Sequence, residues 1–342
     1  MSGEVPFQAP DRTVSTAASS SGPSSTRGNT ARNAWTPSRA GGIVRIARRP
    51  PGWQPPGPAP AGPGQNPALW PGAGEDLCYL LGDWRIFQRT TGHRWSLDDL
   101  VTAWFACAQI DRAQVSCAQV SCAIDLGCGI GSVLMMMAWR LPETRFIGVE
   151  AQEVSAALAR RSLEYNGAAG RCEVRLGDFR ETSMVQEGAR FDLVTGTPPY
   201  FEIGRGHISE KVQCGPCRFE HRGGIEAYCG AASRLLAPGG TFVVCESAGQ
   251  IERVARAASD SSLMIRAQLD VVPRAGKAPL VSVFSMARAE SGPGEATRAG
   301  SVTSHETLVV RDTRGQWTEA FLQVRRDMGM PPSPRGTGTD IA

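Results

Sequence analysis

A glycine-rich junction constrains this chain more than any other feature. The segment Asp125-Leu-Gly-Cys-Gly-Ile-Gly131 joins an apolar run that reads as a strand over Cys122–Leu126 to a run that reads as a helix over Ser132–Arg140. Gly127, Gly129 and Gly131 stand where a backbone must turn sharply and let a ligand come close. A strand–turn–helix junction of this kind opens an α/β fold.

The rest of the chain repeats the alternation. Strands are expected at Phe146–Glu150, Cys172–Leu176, Phe191–Thr195, Thr241–Glu246, Met264–Val272 and Leu280–Ala287. Helices are expected at Val154–Asn166, Gly224–Leu236 and Gly249–Ala257, with a short one between residues 176 and 191. This order predicts a Rossmann-like fold: a mostly parallel, seven-stranded sheet with helices on both faces. Upstream, Trp84–Arg89 alternates like a strand, and Thr90-Thr-Gly92 reads as a turn into a second strand at His93–Ser96. That pair predicts an N-terminal hairpin extension, followed by a helix over Asp98–Gln109. The three consecutive methionines Met135–Met137 read as core.

A dinucleotide turn carries G-x-G-x-x-G and cradles a pyrophosphate. Here the glycines fall at every second position. Amide groups opening the next helix suit a carboxylate, and Asp125 suits an amino group. Glu150, ending the next strand, suits two ribose hydroxyls. Asp178, in Gly177-Asp-Phe179, suits an exocyclic amine, with Phe179 against a ring. The three pieces occur in order at successive strand ends and point to S-adenosylmethionine.

After the fourth strand comes Thr195-Gly-Thr-Pro-Pro-Tyr-Phe201. Pro198 and Pro199 stiffen the backbone, so Tyr200 is held beside the cofactor. The loop resembles the N-P-P-Y motif of amino-methyltransferases, with Thr197 in place of Asn or Asp. In that motif an amide and a proline carbonyl accept hydrogen bonds from a planar amine, and the aromatic ring stacks on it. A hydroxyl accepts one such bond with less geometric control.

With these residues in place, the chain resembles the bacterial adenine-N6 methyltransferase family that modifies the adenosine next to the anticodon in valine tRNA. Leu81-Gly-Asp-Trp-Arg-Ile-Phe-Gln88, Gly92-His-Arg-Trp-Ser-Leu-Asp98 and the helix Leu100–Ala106 resemble its N-terminal signature. Thr307-Leu-Val-Val-Arg311 and Trp317-Thr-Glu-Ala-Phe321 resemble its C-terminal strand and helix. The likeness spans roughly residues 75 to 328. It implies a class I methyltransferase fold and an amine acceptor, adenine in tRNA. It also implies that Gln88 and Asp98 lie near the cofactor, and that Arg218 meets a phosphate, with Phe201 a further substrate contact. A related family with this loop methylates glutamine in a protein release factor. A protein or small-molecule amine is therefore the alternative acceptor, and a noncatalytic cofactor-binding subunit is a third reading, prompted by Thr197.

Composition matters mainly at the ends. Residues 1–70 are rich in Ser, Pro, Gly and Ala, and hold seven arginines against Glu4 and Asp11, a balance of +5 in a chain of net +3. The rest is therefore about −2, so the basic excess is in the tail. Too few apolar residues are present there to offset chain entropy, which predicts a disordered tail. The methyltransferase domain is expected over 71–330, and 331–342 as a disordered C-terminus. No secretory signal or membrane span is expected, so the location is cytoplasmic, or an organelle if the tail is a transit segment. Cys214-Gly-Pro-Cys217 has only His207 and His221 nearby in sequence, so no metal is expected. The oligomeric state is not readable.

Overall fold

The computed structural model describes residues 35–38, 40–45, 49–113, 120–200, 223–289 and 304–332. The N-terminal call of disorder for residues 1–34 and the C-terminal one for 333–342 lie outside these residues, as do Phe201, Arg218 and the Cys214–Cys217 pair.

Among the described residues twelve strands form two sheets. The first contains β1 (Trp35–Pro37), β2 (Ile43–Arg45), β3 (Glu75–Leu81) and β4 (Trp84–Arg89), in that order. The second holds β5 (Cys122–Leu126), β6 (Arg145–Glu150), β7 (Cys172–Leu176), β8 (Phe191–Gly196), β9 (Leu236–Ser247), β10 (Leu263–Val272), β11 (Val281–Arg288) and β12 (Ser304–Val309). Its order is β12-β10-β11-β9-β8-β5-β6-β7. β5, β6, β7, β8 and β9 run parallel, and β11 alone is antiparallel to its neighbours. The described α-helices are α1 (Leu97–Ala113), α2 (Ser132–Arg140), α3 (Glu153–Tyr165), α4 (Ile225–Leu235), α5 (Ile251–Asp260) and α6 (Glu319–Asp327).

The sheet buries apolar side chains on both faces, as a parallel sheet must. On one face α1, α2, α3 and α6 cover a core that includes Leu100, Leu134, Leu163 and Phe321. On the other, α4 and α5 cover Phe242, Val244 and Phe284. All three residues Met135–Met137 are buried, as expected for core.

Three expectations need correction. The large sheet has eight strands, not seven. β12 pairs parallel to β10 from Ala267↔Ser304 to Val272↔Val309, which gives that edge a partner. The hairpin is also built differently. β4 pairs backwards with β3, through the two-residue turn Gly82-Asp83 closed by Leu81↔Trp84. Gly82 takes φ +54°, which such turns need. His93–Ser96 is not a strand; it is held by the Trp95 N–H donating to Gln88 Oε1 at 2.9 Å.

Finally, the described part of residues 35–70 packs on the domain. The Gly42 N–H donates to Pro71 O at 2.9 Å, and the Gly62 N–H to Tyr165 O at 2.9 Å. Gly57 lies so close to the Trp139 ring that no Cβ fits. Proline-dense chain has little conformational freedom to lose, so a few hydrogen bonds on a preformed surface can order it without a core of its own.

Candidate active site

The four parallel strands β5 to β8 end at one edge, and their motifs converge there. The cleft at that edge encloses about 680 Å³. It is lined by Gly92–Arg94, Ser96, Asp98 and Asp99, by the glycine turn, by Glu150 and Gly177–Phe179, and by Thr197–Tyr200 with Tyr228.

The turn is shaped by exclusion. Gly127 has φ +62°, and a Cβ there would overlap the Tyr228 hydroxyl. Gly129 has φ +57°, and nothing lies within 4 Å of where its Cβ would be. That bare backbone faces open cleft, where a ligand can lie against it. Glu150 is locked at the end of β6: Oε2 accepts from the Gly129 N–H at 2.9 Å and Oε1 from the Gln152 N–H at 2.7 Å. It joins the turn to the next strand end. Asp178 lines the cleft with its carboxylate paired to Arg180, at 2.5 Å to Nη2. The Phe179 ring tilts against Tyr228, centroids 4.5 Å apart.

Of the residues expected to hold a cofactor, Gly127, Gly129, Glu150, Asp178, Phe179 and Asp98 line the cleft. Asp125, Gly131 and Gln88 do not. Asp125 is buried beneath the turn, where β5 and β8 pair Asp125 with Thr195, and Thr195 Oγ1 donates to it at 2.7 Å. It shapes the turn from below rather than reaching into the cleft. Gly131 opens α2, with Ala159 close behind. Gln88 is buried and acts on the cleft wall through Trp95.

The loop expected to carry chemistry, Thr197, Pro198, Pro199 and Tyr200, lines the cleft. The Tyr200 hydroxyl donates to Asp98 Oδ2 at 2.8 Å and lies 3.4 Å from Cys245 Sγ. Asp98 also accepts from the Ser96 hydroxyl. Burial, with Cys245 and Asp98 beside it, pushes the Tyr200 phenol well above its ordinary value. The Tyr200 phenol is therefore neutral, and the bond to Asp98 holds its ring in place.

Sequence reasoning missed Arg94, Asp99, Ser132 and Tyr228, all of which line the cleft. Arg94 lay inside the quoted N-terminal signature. Tyr228 had no local signal, because α4 brings it to Gly127 from 101 positions away. Asp99 is pushed up to about 8, first by burial and then by the neighbouring Asp98 charge, against hydrogen bonds from the Ser96 N–H and the Ser132 hydroxyl. Asp125 is pushed up to about 7 by burial.

Such carboxyls hold their proton in the folded state. The stability they contribute is complete below their unfolded value, near 3.8, and is lost as pH rises toward 7–8. The wild-type midpoint is expected to fall by roughly 5–10 °C between pH 5 and pH 9. Asp99→Asn, which cannot ionise, is expected to show less than half that fall in calorimetry. Parallel curves for the two proteins would contradict the assignment.

The cleft fits S-adenosylmethionine: it has bare turn backbone, a locked acid at the second strand end, and a flat apolar ring beside a third. A family model described as a methyltransferase domain matches residues 121–287, the span from β5 to β11. This chain is a class I S-adenosylmethionine-dependent methyltransferase. It is similar to the tRNA1(Val) (adenine(37)-N6)-methyltransferase of Haemophilus influenzae, 26% identical over 206 residues, covering 60% of this chain and 81% of the relative. The Yersinia pestis protein of that name is 26% identical over 205 residues, covering 60% and 77%. Among solved structures, a predicted O-methyltransferase from Agrobacterium tumefaciens aligns with a TM-score of 0.49 at 19% identity, covering 70% of this chain and all of that one. Among the described residues no helix is long and apolar enough to cross a membrane, and no group of three or more His, Cys, Asp or Glu could hold a metal ion.

Proposed function

We propose that this enzyme methylates an exocyclic amine, the N6 of adenine in RNA, with tRNA as the substrate class. The observation that carries the reading is the Thr197–Tyr200 loop lining the cofactor cleft, with Tyr200 tied to Asp98. When bound, the cofactor supplies an electrophilic methyl group. The chain's part is positioning, which is worth orders of magnitude in rate when two reactants must meet in one geometry. Thr197 and the Pro198 carbonyl would accept the amine's hydrogens, and Tyr200 would present its ring to the base. An exocyclic amine attacks in its neutral form, so no side chain need remove a proton first. The likeness to tRNA adenine-N6 methyltransferases supports the same acceptor.

The test is transfer of labelled methyl to fractionated tRNA and to total protein. Label in N6-methyladenine of tRNA is the expected result. Label in protein alone would overturn the reading and favour a glutamine-type acceptor, while label in neither, with cofactor bound, would favour a noncatalytic subunit.

Thr197→Asn restores an amide that both accepts and donates. It is expected to raise methyl transfer about three- to ten-fold if the loop holds an amine, on the scale of one well-placed hydrogen bond. An unchanged or lower rate, read as initial velocity at saturating cofactor, would count against the amine geometry.

A further inference from the structure

The cleft has an uneven charge distribution. Its described lining includes Asp98, Asp99, Glu150 and Asp178, but Arg94 is the one permanently charged cation. S-adenosylmethionine carries a sulfonium, an ammonium and a single carboxylate. The acids suit the first two. The carboxylate needs another seat.

The first turn of α2 is the seat expected from sequence, but Asp99 and Asp125 already stand beside it, acting on the Ser132 hydroxyl and the Leu134 amide. Those donors are partly taken and uncharged, whereas Arg94 carries a full positive charge. Its Nη1 donates to Asp76 Oδ2 at 3.0 Å and Oδ1 at 3.2 Å, and its Nη2 to Cys78 Sγ at 3.2 Å. Asp76 is fully buried. It also accepts from Arg45 Nε at 2.5 Å. The Cys78 thiol, pushed up to about 11 by burial and by Asp76, stays neutral. One buried carboxylate thus serves two guanidiniums, which leaves one positive charge in surplus. The Arg94 side chain remains about a quarter exposed, toward the cleft. Of its five N–H groups, Nε–H and one on Nη2 have no part in the bonds to Asp76 and Cys78.

We propose that Arg94 binds the carboxylate of the cofactor's methionyl end, and that Asp76 and Arg45 are positioning residues that hold it there. The arrangement also links the N-terminal strand to the site, because β2 brings Arg45 onto β3 through the pairs Ile43↔Asp76 and Val44↔Leu77. The proposal depends on the cofactor and not on the identity of the methyl acceptor.

The test compares two ligands that differ only in the group at issue. Calorimetric titration of the full chain would measure S-adenosylmethionine and decarboxylated S-adenosylmethionine against wild type, Arg94→Ala, Arg94→Lys and Arg45→Ala. Arg94→Ala is expected to weaken S-adenosylmethionine about thirty-fold, the scale of charge-assisted hydrogen bonds, and the decarboxylated ligand less than about two-fold. Arg94→Lys keeps the charge without the fork and should recover about a third of the loss on a logarithmic scale. Arg45→Ala should weaken S-adenosylmethionine by about three-fold, again sparing the decarboxylated ligand, because Arg94 loses its second anchor. Equal weakening of both ligands would reduce Arg94 to a structural role and overturn the proposal. Unchanged affinity for both would do the same, and would leave Arg94 to the acceptor. If Arg94→Ala fails to fold, Arg94→Gln and the lysine variant carry the same comparison.

Discussion

Replacing Gly127 with alanine is expected to lower affinity for S-adenosylmethionine at least about a hundred-fold. Two causes act together. At φ +62° an L-residue is strained by roughly 1–2 kcal/mol. The new Cβ also overlaps the Tyr228 hydroxyl, while the next ring atom, Cζ, is 3.4 Å away, at ordinary contact distance. The turn must then move, and with it the Gly129 N–H that holds Glu150. Because the clash is with one oxygen, it can be separated from the strain. Gly127→Ala with Tyr228→Phe should regain about ten-fold of the lost affinity, leaving the backbone strain unrelieved. Isothermal titration of the three proteins decides this. Wild-type affinity in the single variant would mean that the turn yields without cost. A double variant no better than the single would mean that Tyr228 is not the obstacle.

The second large effect is on turnover. Tyr200→Ala is expected to reduce kcat/KM for the methyl acceptor by about a thousand-fold, while the cofactor Kd changes less than about three-fold. The ring is fixed by the hydrogen bond to Asp98, so its loss removes both a surface for the acceptor and the rigidity of the Pro-Pro loop. Tyr200→Phe keeps the surface and loses the tether, so a smaller fall, about ten-fold, is expected. The order Tyr, then Phe, then Ala is the signature of a positioned ring. A phenylalanine variant as impaired as alanine would assign the work to the hydroxyl instead. Loss of cofactor affinity in both variants would move Tyr200 to the cofactor's seat.

Much of this could be read along the chain. Strands β5 to β8, helices α2 and α3, and the glycine turn are local patterns: apolar runs of strand length, a helical run, and glycines where positive φ is required. Glu150, Asp178 and the Thr197–Tyr200 loop follow because parallel strands place all their C-terminal ends at one edge. The hairpin was misread because the weak turn Thr90-Thr-Gly92 competed with the tighter Gly82-Asp83, and only strand pairing separates the two. The C-terminal strand was legible only through the family likeness, and its place beside β10 was not, because about thirty residues that include β11 separate the two.

The sequence by itself determined the fold class, the cofactor and the loop that faces it, since each is written in residues close together in the chain. The tertiary structure decided which of those residues face the ligand. Asp125 has the sequence position of a ligand contact, yet the β5–β8 pairing sets it under the turn with Thr195. Tyr228 carries no motif and Arg94 no assigned role in one, yet α4 places Tyr228 at the turn and Asp76 of β3, with Arg45 of β2, holds Arg94 at the cleft. The physical reason is one of range. Backbone preferences act over a few residues, whereas the partner of a buried charge or the neighbour of a missing Cβ is set by segments tens to a hundred residues apart.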